Sequence, residues 1–179
     1  MSETQVEINP EMTMQSIMEA VPAAQRALFQ RYHVGGCSAC GFQPTDSLAQ
    51  VCKDHNLLDV GEVIATIQRA DEVDRRCQIE PRKVRAWLDE GAQLTFLDVR
   101  PPEERSGGGI PQAQPLDFAD SGRYLELPKD HRIVFACQDG QKALDVASYF
   151  IGHGFTDVWS LRGGIDAWSA EGAARSLGA

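Results

Sequence analysis

The sequence predicts an α/β domain, a parallel sheet flanked by helices, preceded by a small all-α module. Three observations lead there. Residues 12–69 carry apolar side chains at helical intervals, residues 70–76 are strongly charged, and from residue 77 onward short strand-like runs alternate with helical ones as βαβ units do. The expected division is 1–72 for a helical domain bearing a C-x-x-C pair and 73–179 for the α/β domain.

In MTMQSIMEAVPAAQRALFQRY, residues 12–32, Ile17, Met18, Val21, Ala24, Leu28 and Phe29 recur at near-helical spacing. Pro22 falls mid-segment. Its ring removes a donor and crowds the preceding turn, so it begins or kinks a helix there. HVGGCSACGFQP, residues 33–44, reads as a loop because of its glycines and proline. A second helix is expected from Asp46 or Ser47, capped by Thr45 or Asp46, with Leu48, Val51 and Cys52 on one face. A third runs from about Val60 to Arg69 through Val63, Ile64 and Ile67. ADEVDRR, residues 70–76, then reads as a linker, since polarity rises and periodicity lapses. Beyond it TFLDVR, IVFAC and TDVWSL are strand-like, whereas PRKVRAWLDEG and KALDVASYFIGHG are helical. No internal repeat or low-complexity tract interrupts the pattern.

A length of 179 residues with 42% hydrophobic content suits one medium domain or two small ones. The net charge of −9 is spread over both halves, with four basic against ten acidic residues in 1–72 and thirteen against sixteen in 73–179. Phosphate binding needs clustered Lys and Arg, so nucleic acid is not expected as a partner. No apolar run approaches the roughly 18 residues of a membrane span, and MSETQVEINPE lacks the basic and apolar regions of a signal peptide. The expectation is a cytoplasmic protein without a membrane partner. The cysteines, Cys37, Cys40, Cys52, Cys77 and Cys137, are odd in number and unevenly spaced, unlike a secreted disulfide framework. In a reducing compartment such thiols are more often reactive or metal-bound.

Cys137 has the most informative setting. In IVFACQDGQKALDVASYF, residues 133–150, Ile133, Val134 and Phe135 suit a buried parallel strand, and Leu144, Ala147 and Ile151 recur helically after a turn. The thiol is thus expected at the carboxyl end of a strand, facing a helix amino terminus. Ligands of open α/β sheets bind along that edge, and unpaired N–H groups stabilise an anion there. A cysteine thiol of ordinary pKa about 8.5 is acidified at such a position, so an exposed thiolate is expected. Gly140 lets the loop curl so that successive N–H groups point inward at the sulfur. The plain alternative is a small buried residue that ends a strand. Cysteine phosphatases with a similar loop place arginine six residues after the nucleophile, and here that position is Ala143, which disfavours phosphate-ester cleavage.

Four stretches, LDVRPPEE (97–104), GGGIPQA (107–113), CQDGQKA (137–143) and LRGGIDAW (161–168), together resemble a rhodanese domain and occur in that family's order over about residues 77–179. The resemblance implies a parallel sheet flanked by helices and a catalytic Cys137 that carries sulfur as a persulfide. It implies a sulfane-sulfur donor, thiosulfate or a persulfide, a thiol acceptor, a protein partner in a sulfur relay, and no cofactor. Gln138, Asp139, Gly140, Gln141 and Lys142 would form the substrate-binding loop, with Lys142 at the family's basic position as the loop's sole cation. Asp139 opposes ionisation of the thiol, which would make thiosulfate a poor donor. Asp98 and Arg100 match the family's Asp-x-Arg and are read as holding loops by hydrogen bonds. Where relatives have Gly-His-Ile-Pro, this chain has Gly108-Gly109-Ile110-Pro111. Trp168 and Gly163-Gly164 are read as packing and a tight turn, and Cys77 as a core residue.

In the other half, Cys37 and Cys40 form a C-x-x-C pair, and residues from about 12 to 70 resemble the small helical redox-disulfide domain associated with hybrid-cluster proteins. Two thiols at this spacing can close a disulfide or share a metal. Three readings stay open: a redox or sulfur-accepting pair, a zinc or iron–sulfur site built from Cys37, Cys40, Cys52 and His55, and structural thiols. At the level of the whole chain, a sulfurtransferase competes with a non-catalytic rhodanese-fold binding or sensing module whose amino-terminal domain holds a metal.

Overall fold

The computed structural model describes residues 6–35, 41–117, 119 and 121–177. The chain divides into two compact units, Met1–Arg75 and Arg76–Ala179.

The first unit holds α1 (Met14–Ala20), α2 (Ala23–Tyr32), α3 (Leu48–Asp54) and most of α4 (Val60–Cys77). Thr13 caps α1 by accepting the Ser16 N–H at 3.2 Å, and Pro22 sits at the start of α2, separating it from α1. The cap of α3 is Ser47, which accepts the Gln50 N–H, rather than Thr45 or Asp46. Asp46 instead closes the preceding turn, taking the Gln43 N–H at 2.7 Å. The charged stretch 70–76 is helix, not linker: α4 continues through it to Cys77. Its charges are spaced for a helix, since Asp71 pairs with Arg75 one turn on, while Asp74 is buried against Arg26 of α2. Met14, Ile17, Leu28, Leu48 and Ile67 fill the core between these helices. Phe29, expected on that face, lies one position round the helix from Leu28 and is 47% exposed.

The second unit is a five-stranded, wholly parallel sheet of β1 (Gln78–Ile79), β2 (Thr95–Asp98), β3 (Gln114–Pro115), β4 (Ile133–Ala136) and β5 (Val158–Leu161), in the order β1-β5-β4-β2-β3. The helices are α5 (Pro81–Asp89), α6 (Pro102–Arg105), α7 (Gly122–Leu125), α8 (Gln141–Gly152) and α9 (Gly164–Leu177). Every residue of β4 is buried, as a central parallel strand covered on both faces requires. Ile133, Phe135 and Cys137 join Leu144, Ala147 and Phe150 of α8 in one apolar cluster, while Val134 and Ala136 join Val84 of α5 with Ile165 and Trp168 of α9 in another. From β2 the chain steps outward to β3, then returns to the other side of β2 for β4. The switch point therefore lies between β2 and β4, where the loops after both strands face one crevice. No helix among the described residues is long and apolar enough to cross a membrane.

Candidate active site at the cysteine loop

β4 ends at Ala136 and α8 begins at Gln141, so Cys137 opens the turn between them. Its Sγ accepts the Gly140 N–H at 3.2 Å and the Ala143 N–H at 3.4 Å. The donors are thus Gly140, within the expected run from Gln138 to Lys142, and Ala143, just beyond it, while the Gln141 N–H is taken by Asp139 Oδ1 at 3.0 Å. Gly140 has φ +95°, a left-handed conformation that glycine adopts without penalty.

The back of the loop rests on the first turn of α9. The Ile165 N–H donates to the Cys137 carbonyl at 2.9 Å and the Asp166 N–H to the Gln138 carbonyl at 3.1 Å. Gly164, φ +59°, makes that approach feasible, since a Cβ there would stand 2.3 Å from the Cys137 oxygen and 2.5 Å from the Gln138 oxygen. The double glycine read from sequence as a tight turn therefore also supports the backbone of Cys137 and Gln138.

Arg100, only 3% exposed, ties the β2 side of the crevice to the cysteine loop. Its Nη2 donates to Asp98 Oδ2 at 2.8 Å and to the Gly108 carbonyl at 2.7 Å. Its Nη1 donates to the Glu104 carbonyl at 3.2 Å and to Gln138 Oε1 at 3.0 Å. Gln138 in turn donates through Nε2 to Asp166 Oδ1 at 2.5 Å. A planar fork with five donors suits this task, and the hydrogen bond it donates to Asp98 holds the guanidinium's pKa above its ordinary value. The departure at Gly109 has a physical counterpart: a Cβ there would lie 2.8 Å from Arg100 Nη2, so the guanidinium occupies the space a side chain would need.

The sulfur itself differs from the expected exposed thiolate. Cys137 is 1% exposed, and burial pushes its pKa above the ordinary thiol value. The Ala143 and Gly140 N–H groups pull it down without overcoming burial, while Asp139 pushes it up by charge and by accepting the S–H at 3.6 Å. Lys142 is not a free cation, because its Nζ lies 3.0 Å from Glu104 Oε1 and that bond raises its pKa. Glu104 and Asp166 were not singled out from sequence. Both lie inside recognised motifs, but their partners stand 38 and 28 residues away, and spacing carries no sign of such contacts.

Cys37 and Cys40 lie outside the described residues. Cys52 is 1% exposed within the apolar core of the first unit, and burial raises its pKa. His55 ends α3 with Nε2 3.2 Å from the Gly41 carbonyl oxygen, which accepts from it. Among the described residues no three His, Cys, Asp or Glu side chains gather as a metal site. Cys77 is buried in the same apolar cluster as Cys137.

Comparison with known proteins matches residues 80–171 to the rhodanese-like domain. The probable adenylyltransferase/sulfurtransferase MoeZ of Mycobacterium tuberculosis is 38% identical over 96 residues, covering 52% of this chain and 24% of that protein. This chain thus spans about a quarter of that relative's length. The thiosulfate sulfurtransferase GlpE of Pseudomonas syringae pv. syringae is 35% identical over 94 residues, covering 51% of this chain and 85% of that one. A solved rhodanese-like domain from Anabaena sp. aligns at 25% identity with a TM-score of 0.47, over 54% of this chain and 75% of that one. With the family's match extending from the start of α5 into α9, around the cysteine turn, the chain belongs to the rhodanese-like family.

Proposed function

We propose that the chain is a sulfurtransferase in which Cys137 takes a sulfane sulfur, carries it as a persulfide and passes it to a thiol acceptor. The observation that carries this reading is a single thiol at the switch point of the sheet, with two backbone N–H groups directed at its sulfur on a loop braced by Arg100 and α9. With thiosulfate, the Cys137 thiolate bonds to the sulfane sulfur, the donor's S–S bond breaks, and sulfite leaves with the electron pair. An acceptor thiolate then takes the outer sulfur and restores the Cys137 thiolate. The Gly140 and Ala143 N–H groups stabilise the sulfur anion at both ends of this cycle, through donors already oriented in the resting protein.

Two features favour the rival reading of a non-catalytic binding or sensing module: the burial of Cys137 and its S–H bond to Asp139. Intact-protein mass spectrometry separates the two. Exposure to thiosulfate or an organic persulfide should add a reducible increment of about 32 daltons, one sulfur atom. Cys137→Ser should abolish the adduct while leaving the melting temperature close to wild type. Absence of an adduct with either donor would sink the sulfurtransferase reading.

The proposal extends to Cys37 and Cys40 as the pair that discharges the persulfide. One thiolate takes the outer sulfur from Cys137, the other attacks the resulting persulfide, and hydrosulfide leaves as a Cys37–Cys40 disulfide forms. Carriage on one chain supports the reaction through effective concentration. Peptide mapping after a single turnover should find that disulfide. Unchanged adduct decay in a Cys37→Ser, Cys40→Ser variant overturns the relay, and stoichiometric metal in the purified protein would favour ligation by Cys37, Cys40, Cys52 and His55 instead.

A further inference from the structure

We infer that Gln138 is a positioning residue for sulfur transfer: its side-chain amide straps the cysteine loop between Arg100 and Asp166 and so holds the Gly140 and Ala143 N–H groups on the Cys137 sulfur. The inference rests on the sulfurtransferase reading and deepens it at the same site.

Gln138 follows Cys137 directly and is exposed. An amide accepts through one end and donates through the other, so its orientation follows from its partners. Here Oε1 accepts from Arg100 Nη1 at 3.0 Å, and Nε2 donates to Asp166 Oδ1 at 2.5 Å. Those partners belong to the loop after β2 and to the first turn of α9, so one side chain spans the turn. A carboxylate of the same length would meet Asp166, and a cation would meet Arg100. The residue type is matched to both neighbours.

The strap matters because the loop's other ties are one-sided. Backbone bonds from Ile165 and Asp166 hold the Cys137 and Gln138 carbonyls from the α9 side. On the β2 side, the ion pair between Glu104 and Lys142 is exposed at both ends, where solvent leaves little of its attraction. Arg100 is a firmer anchor, being buried, with Asp98 and the Gly108 and Glu104 carbonyls fixing its guanidinium. Gln138 connects the loop to it. Beyond Gln138 the turn runs through Gly140, at φ +95°, to the donors that reach the sulfur at 3.2 and 3.4 Å. A glycine restrains its own backbone least, and hydrogen bonds weaken steeply once the donor swings away from its acceptor. Anchoring the residue beside the cysteine to both walls therefore keeps the donors on the sulfur.

The test uses the full chain and two readouts, taken where circular dichroism shows each variant folded. Gln138→Met keeps the side chain's length, changes no charge and removes both bonds. The first readout is ionisation of the Cys137 thiol, followed by the carbon-13 shift of its Cβ as pH is raised. The groups that act on the sulfur by charge are Asp139 in the loop, Lys142 in α8 and Arg100 after β2, and all are retained in this variant. Since the Ala143 and Gly140 N–H groups favour the thiolate, Gln138→Met should ionise at higher pH than wild type. The second readout is single-turnover persulfide formation from thiosulfate or an organic persulfide at fixed pH. It should slow by about ten-fold, the scale of one hydrogen bond to a charged partner. Gln138→Glu sets two carboxylates where Nε2 now meets Asp166 and should also slow the reaction, and adding Asp166→Asn restores a donor opposite an acceptor and should recover most of the loss. Ionisation of Gln138→Met at the same or lower pH would overturn the strap whatever happens to the rate, as would a double variant no faster than Gln138→Glu. If wild type forms no persulfide with either donor, the sulfurtransferase reading falls and the pH titration alone decides the strap.

Discussion

Replacing Gly164 with alanine should disable the cysteine loop from behind. The added Cβ would stand 2.3 Å from the Cys137 carbonyl oxygen, about 1 Å inside a close carbon–oxygen contact. Two effects add. An L-residue at φ +59° carries a left-handed penalty of about 1–2 kcal/mol, and forcing apart backbone that cannot rotate away adds about 1–3 kcal/mol. The total, roughly 2–5 kcal/mol, is a large share of the 5–15 kcal/mol that about spans the stability of ordinary domains, so at about 2–4 °C per kcal/mol for a chain of this size melting should fall by about 4–20 °C. The clash relaxes by moving the loop, and a misplacement of about 1 Å costs about a hundred-fold in rate. Sulfur transfer to cyanide, at a temperature where circular dichroism shows the variant folded, measures that loss. Gly152→Ala is the control, because a Cβ there meets nothing within 4 Å. Wild-type transfer rate and melting temperature in Gly164→Ala would refute the reasoning.

Asp139→Asn removes the charge that helps to raise the Cys137 pKa, while an amide oxygen in the place of Oδ1 can still accept both the Cys137 S–H and the Gln141 N–H. Since the reactive form is the thiolate, activity rises with pH through the folded pKa, and the variant's rising limb should move to lower pH. A limb that stays put or moves upward in a pH–rate profile would contradict this. Glu104→Gln releases Lys142 from its ion pair and should raise kcat/KM for thiosulfate by a few-fold at low ionic strength, an effect that shrinks with added salt. A fall, or a rise independent of salt, would show that Glu104 acts through something other than charge.

Much of the second unit was legible because its signals are local. Ile133 to Phe135, Gly140 and the periodicity of Leu144 and Ala147 sit within one short stretch, and the structure places Cys137 at the strand-to-helix turn they indicated. Two kinds of error arose where contacts are long-range. ADEVDRR read as a linker because its charge was visible and its partners were not: Asp74 is buried by Arg26, 48 residues away. The reactivity of Cys137 was read from a helix amino terminus, a local donor, whereas its burial comes from strands and helices packed around it, and burial dominates. Lys142 likewise looked unopposed until Glu104, from another motif, reached it.

These corrections bear on how such a site can select its substrate. Asp139, Glu104 and Asp166 place carboxylates around the loop, and two of its cations are already engaged, Arg100, which bonds Gln138, by Asp98 and Lys142 by Glu104. Attraction for a small dianion is therefore weak at the loop itself, and under the proposed reaction stabilisation of a sulfur anion falls to the two N–H groups at Gly140 and Ala143. Those donors stabilise a thiolate only while the loop keeps its shape, which Gln138 fixes by joining Arg100 on one side to Asp166 on the other. The space left at Gly109 is part of the same arrangement, since a side chain there would displace the guanidinium on which Gln138 depends. Substitution at Gly109 should therefore affect the cysteine loop through Arg100, without any contact with the sulfur.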